Sequence, residues 1–116
     1  MSHLSTQALI ESLNKGAVAF ETVMQTIDAE YEFTPTRFTN GGVVSEANTN
    51  NGSCKIFAFA KLNGLSEQAT LNAFGDYYTV DVLQHPEGQD HQNIRNFMQT
   101  GWNGIEFDGV ALVKNV

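Results

Sequence analysis

The chain has little positive charge, one cysteine, two prolines and no long apolar run. Six Lys and Arg stand against thirteen Asp and Glu, giving a net charge of −7, and no two of the basic residues are adjacent. Nucleic-acid backbones are held mainly by Lys and Arg, so no nucleic-acid partner is expected unless folding gathers Arg37, Lys55, Lys61 and Arg95 on one face. Adsorption to an anionic membrane surface is disfavoured for the same reason. The longest apolar run, Ile56 to Ala60, is far short of the roughly 20 residues of a membrane helix, so no membrane span is expected. A lone cysteine cannot close an internal disulfide, which fits a reducing compartment at the site of synthesis. The opening MSHLSTQALIESL lacks both a basic region and a long apolar core, so it does not read as a cleavable secretory signal.

What is present describes a folded domain. The 116 residues are 41% hydrophobic, with eight Phe, three Tyr and one Trp, too apolar for a disordered chain. No linker, repeat or low-complexity segment divides them, so a single domain over residues 1–116 is expected. Ser5 caps a short helix carrying Leu9, Ile10 and Leu13 and ending at Gly16. Between Ala17 and Tyr31, the residues Phe20, Val23, Met24, Ile27 and Tyr31 recur at helical spacing. After Pro35, TRFTNGGVV signals a hairpin turning at Asn40-Gly41 or Gly41-Gly42. SEANTNNG is a polar loop, and a helix from Ser53 to Leu62 follows with Ser53 as its cap. Ser66 caps another helix reaching Tyr78, with Leu71, Phe74 and Tyr78 in one stripe. Asp90 caps a last helix with Ile94, Phe97 and Met98 inward. IEFDGVAL reads as a second hairpin turning at Asp108-Gly109. The expected fold class is α+β, about five helices around a small antiparallel sheet built from short hairpins.

Two regions carry chemistry. In NNGSCKIFAF the only thiol, Cys54, falls in the first turn of a predicted helix, where the dipole favours thiolate. With a histidine in reach it would be a nucleophile for acyl transfer or hydrolysis, His91 or His85 serving as base. A buried thiol used for packing gives the same sequence. The second region, QHPEGQDHQNIRNF, holds His85, Asp90, His91, Asn93 and Arg95 among turn residues. With Asn50, Asn51, Ser53, Asp76 and Tyr77 these groups are expected to line a polar groove for a protein or small-molecule partner. Tyr77 and Tyr78 are adjacent and diverge by about 100° on a helix, so Tyr78 packs while Tyr77 faces the groove. His85 and His91 lie six apart across a proline, unlike the i, i+4 histidines of a helical metal site, so neither a metal nor a cofactor is expected.

The strings YEFTPTRFTNG, NNGSCKIFAFAKLNGLS, FGDYYTVDVLQHPEGQDHQNIRNFMQTGW and GIEFDGVAL together resemble the HopJ family, named for a type III effector protein of plant-pathogenic bacteria. The likeness runs from about Phe20 to Leu112. It implies an effector-like protein and assigns no catalytic residue. Effectors of this kind start with a flexible, Ser-rich secretion region, whereas helical periodicity here starts by about residue 6. A reporter fused to the first few tens of residues is therefore expected not to be exported.

Overall fold

Residues 3–115 are described by the computed structural model. Helix α1 (Thr6–Lys15) starts where Ser5 Oγ accepts the Ala8 N–H, and it buries Leu9 and Leu13. Helix α2 (Phe20–Glu30) is shorter than its periodicity suggests, because residues 17–19 run extended and the Val18 N–H donates to the Asn72 carbonyl. Tyr31 leaves the helix as the first residue of strand β1 (Tyr31–Phe33). Strands β2 (Phe38–Asn40) and β3 (Val43–Ser45) form the expected hairpin. Its turn is Gly41-Gly42, both at positive φ (57° and 93°), which favours glycine at each position.

Helix α3 (Asn51–Leu62) is the centre of the molecule, with Ile56, Phe57, Ala58, Phe59 and Ala60 all buried. It starts before the expected Ser53 cap: the Cys54 N–H already donates to the Asn50 carbonyl at 2.9 Å, so Asn50 is the cap and Ser53 lies inside the first turn. Ser66 caps helix α4 (Glu67–Asn72) as expected, but the helix does not reach Tyr78. Gly75, at φ +58°, breaks it, and a side chain there would collide with the Val18 carbonyl and the Phe20 N–H of the adjacent segment. The chain resumes as a π-helix, Tyr77–Val82. Leu71, Phe74 and Tyr78 are nonetheless all buried.

Helix α5 (Gln92–Thr100) buries Ile94 and Phe97, whereas Met98, expected inside, is 44% exposed. Its cap residue is His91 and not Asp90, whose carboxylate is drawn off by the Arg95 guanidinium at 2.7 Å. A 3-10 turn (Gly101–Gly104) leads to strand β4 (Ile105–Phe107), and strand β5 (Leu112–Lys114) follows.

The second hairpin does not form. Strand β4 pairs with β2 and β5 pairs with β1, both antiparallel, in two sheets ordered β3-β2-β4 and β1-β5. The tail instead runs back along residues 31–40 in one register: Tyr31 faces Lys114, Thr34 N–H meets the Ala111 carbonyl, Asp108 N–H meets the Arg37 carbonyl, and Asn40 faces Ile105. Pro35, which has no N–H, falls in the interruption between the two ladders. Asp108-Gly109 thus lies in the bend that links β4 to β5 along this returning segment, and a longer partner outcompetes the local turn. The fold is α+β, with two small antiparallel sheets packed on helices around a cluster in which Phe57 contacts Phe38, Phe74 and Phe97. No described helix is long and apolar enough to cross a membrane.

Candidate functional site

The N-termini of α3 and α5 open onto one cavity of about 480 Å³, closed from the other side by the start of α2 and the π-helix. Asn50, Asn51 and Ser53 reach it from α3, and His91, Gln92 and Asn93 reach it from α5. Phe20 and Tyr77 complete the wall, with Val43, Phe74 and Ile94 supplying apolar surface. Gly52 is a required close approach, since a Cβ there would meet the Phe20 ring at 2.8 Å.

The π-helix organises His91. Tyr77 and Asp81 lie four residues apart on it, and both touch the imidazole: the Tyr77 ring is 5.2 Å away, tilted by 36°, and Asp81 Oδ2 lies 3.0 Å from Nε2. The carboxylate accepts in that contact, and Asp90 Oδ2 stands farther off at 3.8 Å. Phe20 and Tyr77 meet edge to face at 5.2 Å and 72°, so three rings touch in sequence along the cavity wall. His91 sits at φ 52°, ψ 49°, a left-handed backbone that costs a non-glycine residue about 1–2 kcal/mol. Strained residues of this kind cluster at functional sites.

Asn93 is positioned from below. It is only 8% exposed, and its Oδ1 and carbonyl both accept from Asn40 Nδ2, at 3.0 and 2.8 Å. With its oxygen so committed, the Asn93 Nδ2 has no partner among the described residues and remains a donor on a cavity-lining side chain. Asn40 is itself fully buried, and its Oδ1 is unpartnered. Asn50 and Asn51 spend their own Nδ2 groups on Ser45 Oγ and Asn48 Oδ1, leaving their side-chain oxygens as acceptors.

Cys54 lies elsewhere. It is 2% exposed, and its Sγ donates weakly to the Thr36 carbonyl at 3.5 Å. Burial pushes the thiol pKa above its ordinary value, the reverse of what a nucleophile needs. Cys54 is not among the residues lining the cavity that His91 enters, so the helix-dipole reading of its reactivity is outweighed by desolvation. The remaining sequence candidates scatter. Asp76 lines a smaller neighbouring cavity beside Ala17–Glu21. His85 and Asp90 border a shallow depression outside. Arg95, with an 11% exposed side chain, acts as a staple: its guanidinium donates to the carbonyls of Asp81, His85 and Asp90 and to the Asp90 carboxylate. Gly88 lets it pass, since a Cβ there would stand 2.6 Å from Nη2.

Of the residues singled out in the sequence, the cavity therefore gathers Asn50, Asn51, Ser53, Tyr77, His91 and Asn93. Sequence reasoning missed Phe20, assigned to the core stripe of α2, and missed Asn40 and Asp81 as the groups that orient Asn93 and His91. The spacing Tyr77-x-x-x-Asp81 was the available signal for the latter. The basic residues do not converge: Arg37 pairs with Glu46 and Asp108, and Lys55 with Asp28. Among the described residues, no group of three or more His, Cys, Asp or Glu side chains is placed to hold a metal.

The family model of the HopJ type III effector protein matches residues 6–112. The chain is also similar to the crystal structure of a protein of unknown function, VPA0580, with a TM-score of 0.94 and 51% identity, over 98% of this chain and 97% of that one. No curated protein matches it.

Proposed function

The chain belongs to the HopJ type III effector family, and within that family we propose that it is a binding domain whose ligand is a small polar molecule seated between the N-termini of α3 and α5. The observation that carries this is the convergence of five separate segments on one cavity of about 480 Å³, inside the range of small-molecule sites. A buried amide is oriented there with its donor unspent, and a strained His91 is held by two residues of a π-helix, a feature frequent at functional sites. Such groups contribute little to a core. They fix the orientation of a guest. Synthesis in a bacterial cytoplasm belongs to the same proposal, and a reporter fused to the first few tens of residues should stay there.

The test is a melting-temperature screen of purified protein against neutral, anionic and cationic metabolites, run in parallel on Tyr77→Ala. A compound that binds only the native state raises the melting temperature with its concentration. The expected result is a rise for neutral polar compounds in the wild type that is lost in the variant. Rises that survive Tyr77→Ala unchanged would move the binding site elsewhere.

A further inference from the structure

The chemistry of the wall narrows the ligand class, an inference that rests on the binding reading above. None of the residues lining the cavity is Asp, Glu, Lys or Arg. The two carboxylates beside His91 are engaged, Asp81 with His91 and Asp90 with Arg95, and Glu21 and Asp76 line the neighbouring cavity. A permanent anion would meet two helix N-termini but no Lys or Arg to offset a protein of net charge −7, and a cation would meet no carboxylate on the wall.

What the wall offers is an aromatic ring facing amides and hydroxyls. Phe20 and His91 flank Tyr77 and hold it in place, and Tyr77 is 40% exposed. The π-face of an aromatic ring is negative and attracts polarised C–H groups, which is what one face of a pyranose presents. Opposite it, Asn93 Nδ2 is a free donor, the Asn50 and Asn51 oxygens are free acceptors, and the Ser53 hydroxyl does both. A sugar hydroxyl also donates and accepts at once, so it satisfies such a mixed wall as a carboxylate or an ammonium does not. The volume accommodates one or two sugar rings. We propose that the cavity is a carbohydrate site, the sugar face resting on the exposed Tyr77 ring and its hydroxyls bonding to Asn50, Asn51 and Asn93.

Titration of 15N-labelled full-length protein with N-acetylglucosamine, cellobiose, adenosine and inorganic phosphate, followed by NMR, tests this. The expected result is saturable shifts at Asn51, Tyr77 and Asn93 with a saccharide at roughly millimolar concentration. The same titration should be about tenfold weaker in Tyr77→Ala, the loss expected for a removed aromatic contact. Asn51→Ala, a partly exposed and readily tolerated change, should weaken it as well. Adenosine or phosphate shifting these residues while both saccharides leave them still would overturn the carbohydrate assignment and leave the binding cavity standing. Silence from every probe at the cavity also overturns it, and only together with a flat melting screen does it remove the binding reading too.

Discussion

Replacing His91 by glycine and, separately, by alanine isolates the backbone strain at the site. Both variants lose the Asp81 contact, a partly exposed pair whose contribution is about 0.5–1 kcal/mol, and the Tyr77 contact, about 0.5–1.5 kcal/mol. They differ at φ 52°, where alanine keeps the left-handed penalty of about 1–2 kcal/mol and glycine does not. Glycine in turn loses about 0.4–1 kcal/mol through the greater freedom of its unfolded chain. Taken at mid-range, the difference leaves His91→Gly about 0.8 kcal/mol more stable than His91→Ala. Urea unfolding with a common m-value reads that difference directly. Equal stabilities, or alanine the more stable, would refute the claim that His91 is held in a strained conformation for the sake of its ring. Neither variant should bind the ligand as the wild type does, so the recovered stability and the lost binding separate in one experiment.

Arg95→Ala should cost about 1–3 kcal/mol and raise hydrogen exchange across residues 84–90, because three carbonyls and the Asp90 carboxylate lose a charged donor; Arg95→Lys should restore little, since an ammonium cannot reproduce the fork, and full restoration would contradict the staple. Cys54 should react with iodoacetamide only as fast as the protein unfolds, with no titration near neutral pH, because its pKa is raised by burial; fast native labelling would reinstate it as a reagent. Glu30 accepts from the Thr6 N–H and hydroxyl at the start of α1, which lowers its pKa from 4.5 to about 2. Its contribution is complete above about pH 4.5 and is lost as pH falls toward 2, so Glu30→Gln should flatten that part of the acid-unfolding curve; a curve unchanged by the substitution would contradict the assignment.

Much of the fold is legible in the sequence because its signals are local. Ser5 and Ser66 cap the helices they precede, and Gly41-Gly42 supplies the two positive φ values of its turn. The tail was misread because Asp108-Gly109 is a good local turn, while the partner that wins, residues 31–40, lies more than sixty positions away. The π-helix is equally non-local in origin. Gly75 ends α4 because it must pass the backbone of residues 18–20, a contact no window of sequence contains. At the site, residue type drew attention to two regions that the fold brings partly together, but could not sort them. Arg95 and Asp90 are as polar as His91 and Asn93, yet one pair ties down a loop and the other enters the cavity. Cys54 and Ser53 are neighbours on α3, and one helical step turns the first into the core and the second toward the cavity.

The central claim is that the cavity between α3 and α5 is where this protein binds. Its most direct test is a crystal structure of the protein soaked with whichever compound raises the melting temperature most. The account predicts density for that compound against Tyr77 and His91, with Asn93 Nδ2 donating to it and Arg95 untouched. Density instead over the groove of Leu62, Phe107 and Val110 at the other end of α3, with the cavity unchanged, would contradict it.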